Sequence, residues 1–350
     1  MSYTNFTVSG LSTYVAEAKD TLLKNIAFGK GTRELISIQT GVKTKEHLHD
    51  LEIAAVFGDA SDCGFTSAGT ATLSERTIEV AALKVNMDIC EKNLLGKYAE
   101  WMVKTAATGD KSLPFEEYVM EGIIASIDEQ IETMIWLGDK TNQSSDPVKK
   151  WIDGFITIAA ASVTGSTGVV GESIASGKTA YEGILQVYAS IPEKVLKKGA
   201  MIFVSPAIFR AFMQDMVSLN YFHYNPGNEK LEDFPIPGTD VKVHNTPGLA
   251  GSLKILATYA ANLYYGTDLE NDEEKIDIWY SKDSQVYKVL AEWKSGAQIR
   301  YLDRCVLGTF AATPVATVGI AKGVSSLTPL ADLAGAYDST NKYIETHPNS

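Results

Sequence analysis

The amino-acid sequence predicts an α+β fold, in which one long helix and long antiparallel strands frame a compact α/β lobe. A helical apolar repeat over residues 112–137 predicts the long helix, and period-two alternation within residues 285–321 predicts the long strands. Short strand and helix patterns alternate over residues 150–284, which is typical of an α/β lobe. A glycine-rich excursion within residues 34–86 adds an extended β-hairpin.

The first predicted element is an amphipathic helix over residues 12–27. Apolar residues recur there at helical spacing, and Gly29 and Gly31 follow. A single short helix is marginal in water, so this helix must pack on its own chain or on a neighbouring molecule. The sequence leaves both alternatives open.

The hairpin is predicted from strand-like runs at residues 35–40, 51–57 and 76–85. The segment between the last two runs, GDASDCGFTSAGTAT, is small, polar and rich in glycine. An isolated two-stranded hairpin is marginally stable at best. We therefore expect the hairpin, between about residues 42 and 80, to make most of its contacts with other molecules.

The long helix carries the strongest local signal. Isoleucine recurs every fourth residue from Ile123 to Ile135, and Gly138 is typical of a helix end. At 1.5 Å per residue the helix is about 35 Å long. We expect its isoleucine stripe to pack on the long strands of residues 285–321.

The lobe and the last strands follow from shorter patterns. Ser205 and Pro206 are typical of a helix start. Alternation from Tyr287 to Trp293 predicts a strand over residues 285–293. The other predicted elements are a helix at 178–190, strands at 200–204, 241–244, 254–257 and 275–280, a turn at 294–296 and a strand at 298–307.

The stretch GVVGESIASGKTAYEGIL, residues 168–185, resembles a phosphate-binding loop. Such a loop needs a glycine five positions before the glycine of its Gly-Lys-Thr triplet, which here is Gly177. That position is Glu172, whose carboxylate would repel a phosphate. We therefore predict a loop that binds no nucleotide and leads into a helix capped by Ser176.

The same stretch partly matches the nucleophile elbow of hydrolases. Gly171 and Ser173 fit the pattern, but Ala175 replaces its second glycine. The match keeps open, as the less favoured function, a cytoplasmic α/β hydrolase that uses Ser173 with His223 or His244.

Metal, cofactor and disulfide signals are weak. His47 and His49 would share one face of a strand without a third ligand motif. The acidic run at 268–274 has Glu273 and Trp279 where a calcium loop needs glycine and glutamate. Three widely spaced cysteines predict free thiols, and they are Cys63, Cys90 and Cys305. We expect no catalytic residues, no metal and no cofactor.

Composition limits the kinds of molecule that the protein is expected to bind. The net charge of −12 is unsuited to gripping a nucleic-acid backbone, although an acidic protein can enclose DNA without binding it. We found no apolar run of about 18 residues, so no membrane span is expected. The first residues, MSYTNFTVSG, do not have the pattern of a secretion signal.

The order of these elements resembles the major capsid protein of tailed bacteriophages, whose fold is named after the Hong Kong ninety-seven phage. The resemblance extends from about residue 30 to residue 321 and is closest to capsid proteins of gut Bacteroidetes phages, including the crAss-like group. A long charged helical segment, the built-in scaffold of some members, is not found at the N-terminus. The runs that carry the resemblance are IETMIWLGD at 131–139, WIDG at 151–154, AMIFVSP at 200–206, NLYYGTDL at 262–269 and EWKSGAQI at 292–299.

The resemblance implies a division of the chain into named parts. They are an N-terminal arm (1–33), an extended hairpin or E-loop (34–86), a peripheral domain (87–149 and 285–321) with its spine helix (112–137), an axial domain (150–284) and a C-terminal tail (322–350).

The resemblance also implies a function. The expected function is that of a non-enzymatic structural protein whose hexamers and pentamers form the capsid of a tailed phage around double-stranded DNA. Its expected partners are itself, a portal and scaffold or decoration proteins. The expected location is the virion, after assembly in the bacterial cytoplasm. An encapsulin-like compartment shell is the alternative with the same fold.

Overall fold

The computed structural model of the protein is mixed α+β, as the sequence predicts. It describes residues 18, 22, 26, 31–57, 69–90, 115–142, 145–163, 168–219, 233–268, 275–284 and 286–314. The helices are α1 (Phe115–Leu137), α2 (Phe155–Ala161), α3 (Ala180–Ala189), α4 (Glu193–Leu196) and α5 (Pro206–Ser218). The strands are β1 (Ser37–Gln39), β2 (Lys45–Ala54), β3 (Thr70–Glu79), β4 (Ala81–Cys90), β5 (Val170–Ile174), β6 (Met201–Val204), β7 (Asp233–Pro235), β8 (Lys242–Asn245), β9 (Lys254–Thr258), β10 (Leu263–Gly266), β11 (Lys275–Ser281), β12 (Val286–Ile299) and β13 (Val306–Phe310).

A five-stranded sheet forms around the long strand β12. β11 and β4 flank the first part of β12 in antiparallel pairing, and β10 pairs with its last residues. β1 lies parallel to the far side of β10. Tyr287, Val289, Ala291 and Trp293 are all buried, which confirms the predicted period-two face.

The predicted turn at residues 294–296 is wrong, because β12 runs straight through it. Ser295 still pairs with Ala81 of β4, and Gly296 pairs with Gly266 of β10. A Cβ on Gly296 would lie 2.2 Å from the carbonyl oxygen of Glu79. The glycine therefore permits a close approach of two backbones, and it does not mark a turn.

Two other strand predictions are divided by the structure. The run at 76–85 is split at Val80, where the chain leaves the hairpin strand β3 and enters β4 of the five-stranded sheet. The predicted strand at 298–307 is also split, because its first residues end β12 and its last residues begin β13 in another sheet.

A six-stranded sheet forms the α/β lobe, in the order β5-β13-β9-β6-β8-β7. Both of its faces are covered. On β6, Ile202 and Val204 belong to one core with α3 and α5, whereas Phe203 belongs to the other core, with α1 and α2. The alternation of strand side chains explains this division.

The two predicted lobe helices are confirmed, with one corrected cap. Ser205 caps α5 by accepting a hydrogen bond from the Ile208 amide at 3.4 Å. Thr179, not Ser176, caps α3, because Thr179 and Glu182 satisfy each other's backbone amides in a capping box.

The long helix α1 ends before Gly138, as predicted, and residues 112–114 lie outside the described residues. A Cβ on Gly138 would lie 2.4 Å from the Ile152 carbonyl oxygen, so only glycine fits there. Ile123, Ile127 and Ile131 are buried in the same core as β12 residues such as Trp293. The predicted packing of the stripe on the long strand is therefore confirmed.

Only three residues of the predicted N-terminal helix are described. Ala18, Leu22 and Ile26 are helical, and Leu22 and Ile26 are buried in the core that contains α1. Of the two alternatives for this helix, these side chains support packing on the protein's own chain.

Candidate functional site

The hairpin β2–β3 is the candidate interaction site. Leu51 lies directly opposite Leu73, and Ile53 lies opposite Ala71. Because strand residues two apart share a face, these four side chains form one apolar surface, here called the hairpin face. Leu51 is 57% exposed and Leu73 is 68% exposed. Large contiguous apolar surfaces of this kind mark interaction sites.

The root of the hairpin, in contrast, has a small core. Leu48 and Ile78 are buried there with Val42. Further out, the described residues of β3 from Thr70 to Glu75 are all exposed. The sequence therefore anchors the hairpin at its root and leaves its outer part uncovered within the protomer.

A groove beside α1 is a second apolar surface. It has a volume of about 80 Å³ and is bounded by β4, α1 and residues 147–151. Trp293 lines its inner wall, and its indole nitrogen is buried without a hydrogen-bond acceptor among the described residues. Trp151 lines the groove and is 44% exposed.

Glu172 and Lys178, which were compared with a phosphate-binding loop, form hydrogen bonds within the protein. Glu172 accepts hydrogen bonds from Ser190 Oγ at 2.6 Å and Gln186 Nε2 at 3.0 Å, and these bonds lower the pKa of its carboxyl. Lys178 Nζ donates to Gln186 Oε1 at 2.9 Å. A charged carboxylate thus lies where a phosphate-binding loop needs a glycine.

The hydrolase arrangement of Ser173 with His244 is not formed. Ser173 lies within β5, not on a strand-to-helix turn, and β13, β9 and β6 separate it from His244 on β8. Four strand spacings amount to about 19 Å, so the two side chains cannot share a proton. His244 Nδ1 is instead paired with Asp233. His223 lies outside the described residues.

The two histidines considered as possible metal ligands lie near one glutamate. His47 and His49 lie on β2, each 3.8 Å from Glu75. In the part of the chain that the structure describes, no group of three or more His, Cys, Asp or Glu is placed to hold a metal ion. Asp268, the one described residue of the acidic run, is buried and pairs with Lys294 at 2.9 Å.

Of the cysteines, Cys305 is buried, and burial raises the pKa of its thiol to about 12. Cys90 is half-buried, and Cys63 lies outside the described residues. A thiol with so high a pKa is a poor nucleophile. Across the described ranges, no helix is long and apolar enough to cross a membrane.

A buried polar cluster lies near the end of α1, and the sequence analysis did not predict it. Glu132 Oε1 accepts hydrogen bonds from the Thr32 hydroxyl and from Trp136 Nε1, the latter at 3.2 Å. Burial raises the pKa of Glu132. Buried Arg33 pairs with Asp128 at 2.8 Å. The spacing of four between Asp128, Glu132 and Trp136, beside the isoleucine stripe, is the signal that could have located this cluster.

The helices and strands described above form the α+β fold of viral shell proteins. The chain is similar to a subunit of the satellite phage P4 procapsid, with a TM-score of 0.55 and 12% identity, over 88% of this chain and 98% of that chain. It is also similar to the capsid of an empty GTA particle, with a TM-score of 0.51 and 13% identity, over 86% of this chain and 99% of that chain. A virus-like particle from Pyrococcus furiosus is more distant, with a TM-score of 0.46, 7% identity, and coverage of 85% and 97%.

The likeness is therefore one of structure, with little sequence identity. No protein-family model matches the sequence, and no curated protein matches it. The fold is the phage capsid fold, and it extends over most of the chain.

Proposed function

We propose that this protein is the structural subunit of the icosahedral head of a tailed bacteriophage, that it assembles with itself, and that it has no enzymatic role. The observation that carries the proposal is the hairpin face, which leaves Leu51, Ile53 and Leu73 exposed on a protomer with the phage capsid fold. A protein that remained monomeric would gain nothing from such a surface.

The two apolar surfaces explain how copies would associate. The hairpin face protrudes, whereas the groove at Trp151 and Trp293 is recessed. Contacts between unlike surfaces of identical subunits are heterologous, and they close into rings when the rotation between subunits permits. Rings of six and five subunits are the units from which we propose the shell is built.

The charge of the protein supports an enclosing role. A net charge of −12 disfavours tight binding to packaged double-stranded DNA, which the shell would hold without sequence-specific contacts. We propose assembly in the host cytoplasm, location in the virion, and association with a portal and with scaffold or decoration proteins. Double-stranded DNA inside the particles distinguishes this proposal from the encapsulin-like alternative.

We further propose the division into arm, hairpin, peripheral domain, axial domain and tail that the resemblance implies. The change of sheet at Val80 supports a boundary between hairpin and peripheral domain. The sequence runs quoted above support relatives among gut Bacteroidetes phages, including the crAss-like group.

The experiment that tests the proposal is size-exclusion chromatography with negative-stain microscopy of the purified protein. The wild type should form shells or rings, and the double variant Leu51→Ser/Leu73→Ser should remain a folded, soluble subunit that forms neither.

The matched control is Val217→Ser/Leu219→Ser, which removes two exposed apolar side chains outside the hairpin. This control should assemble as the wild type does. Normal shells from the hairpin variant would contradict the proposal, as would a wild type that stays a compact monomer or dimer.

A further inference from the structure

The root of the hairpin is held by two side chains from the end of β12. Gln298 Nε2 donates to the Thr77 carbonyl oxygen of β3 at 2.6 Å. Arg300 Nη2 donates to the His49 carbonyl oxygen of β2 at 2.7 Å. Each hairpin strand is therefore tied separately to the same short segment of the body. Two separate attachments restrict tilt and rotation, whereas one attachment would act as a pivot.

Both side chains are themselves fixed by other contacts. Gln298 Oε1 accepts a hydrogen bond from the Ile299 amide of β12 at 3.0 Å, and a second from Arg76 Nη2 of the hairpin at 3.0 Å, which together set the orientation of the amide. Arg300 Nη1 donates to the Tyr264 hydroxyl at 3.0 Å. The close approach of Gly296 to Glu79 places the end of the hairpin directly against β12. The contacts at residues 298 and 300 thus connect the hairpin to a rigid part of the five-stranded sheet.

A small movement at this root is amplified along the hairpin. At about 3.3 Å per residue, Ala54 lies about 17 Å beyond His49. A tilt of about 20° at the root would displace Ala54 by about 6 Å, which is more than a residue's rise along a strand. Interfaces packed as densely as protein interiors cannot absorb such a displacement. The direction of the hairpin must therefore be set before two copies can associate.

We infer that Gln298 and Arg300 are positioning residues, which hold the hairpin face in the direction required for contact with a second copy of this chain. This inference rests on the proposed function. It assigns to the end of β12 a role in assembly that involves no contact with the neighbouring subunit.

The decisive variant is Gln298→Glu. It keeps the shape of the side chain and the acceptor for Arg76, but it removes the donor to Thr77 and places a carboxylate against a carbonyl oxygen. The matched control is Gln214→Glu, which makes the same change in charge at an exposed position on α5, outside the hairpin and the groove.

The direction of the hairpin is measured in unassembled subunits by electron paramagnetic resonance distances between two spin labels. The labels are attached at Leu73→Cys on the hairpin and Glu193→Cys on the lobe, both exposed sites, with the three native cysteines replaced by serine. We expect Gln298→Glu to at least double the width of the distance distribution or to shift its mean. Its melting temperature should stay within about 2 °C of the parent protein, since a single partly buried hydrogen bond contributes little to stability.

In the unlabelled protein, Gln298→Glu should reduce the yield of shells at least tenfold, and Gln214→Glu should leave it unchanged. Arg300→Lys keeps the charge but replaces the two guanidinium nitrogens that bond Tyr264 and His49 with a single amino group, and it decides the question if Gln298→Glu does not fold. An unchanged distance distribution in the folded variant would overturn the inference. Failure of the wild type to assemble would instead overturn the proposed function, and the distances would still test the positioning.

Discussion

The hairpin β2–β3 and the six-stranded sheet are built from similar strands, but they differ in what covers them. On β6 of the sheet, Ile202, Phe203 and Val204 are completely buried, because a core lies on each face. On the outer hairpin, Leu51 and Leu73 face solvent although they are as apolar as the residues of β6. Strand chemistry alone therefore does not say whether a surface is covered by its own chain or is left for a partner.

The comparison distinguishes buried apolar residues of the lobe from exposed apolar residues of the hairpin face. Each kind should affect a different measurement. Residues of the lobe should determine the stability of the isolated subunit, and residues of the hairpin face should determine assembly with little effect on stability. The predictions below are ordered by the expected change in the free energy of unfolding of unassembled subunits.

The largest effect is expected for Phe203→Ala. Phe203 is fully buried against Trp136, with ring centroids 5.1 Å apart. Its truncation should lower the free energy of unfolding by about 3–5 kcal/mol, through lost transfer energy and a residual cavity. Phe57→Ala at the hairpin, where the side chain is fully exposed, should change it by less than about 0.5 kcal/mol. Equal losses in urea denaturation would invalidate the comparison.

The next largest loss of stability is expected for the isoleucine stripe of α1. Ile127→Ala should cost about 2–5 kcal/mol, because Ile127 is buried between the helix and the five-stranded sheet. Glu129→Ala, on the exposed side of the same helix, should leave the melting temperature nearly unchanged. If both variants melt alike, the helix does not brace the sheet.

A smaller effect should depend on pH and arises at Glu132. Burial raises the pKa of Glu132 above its ordinary value of 4.5, although Thr32, Arg33 and Trp136 oppose the shift. The protonated form is therefore favoured by folding. The stabilisation is complete below the ordinary pKa, and it is lost as pH rises through the higher pKa of the folded protein.

Glu132→Gln removes this titration while it keeps the shape of the side chain. Relative to this variant, the wild type should become less stable as the pH is raised from 4 towards neutrality. Chemical denaturation at a series of pH values measures the difference. A difference that stays constant, or that changes in the opposite direction, would show that the buried carboxyl does not titrate as its burial implies.

The smallest effect is expected at the loop before α3. Lys178→Ala should neither destabilise the subunit measurably nor alter any interaction with ATP, because Glu172 occupies the position that a phosphate-binding loop needs for glycine. Calorimetric titration with magnesium and ATP should show no binding to either protein. Tight binding that Lys178→Ala abolishes would contradict this.

Local patterns were sufficient to predict much of the fold. The isoleucine spacing and Gly138 located α1, and Ser205 and Pro206 located the start of α5, because these signals depend on residues close in sequence. The alternation from Tyr287 to Trp293 identified the buried face of β12 for the same reason.

The wrong sequence predictions have a different cause, because they depend on contacts between residues far apart in the sequence. Gly296 was read as a turn residue, but its partner is the backbone of Glu79, more than 200 residues away in the sequence. The break at Val80 and the root contacts of Gln298 and Arg300 likewise depend on distant strands. A single sequence carries no local signal for these approaches, so the candidate site was located as an exposed hairpin without the residues that direct it.

The position of β13 has a consequence for how the protein is made. β13 lies between β5 and β9 in the sheet, and among the described strands β5 has no other partner. A ribosome therefore synthesises residues 170–258 before Val306–Phe310, the strand that joins β5 to β9. Such non-local pairing is slow and comes late in folding. Chains that end before Val306 accordingly lack the strand that joins β5 to the rest of the sheet.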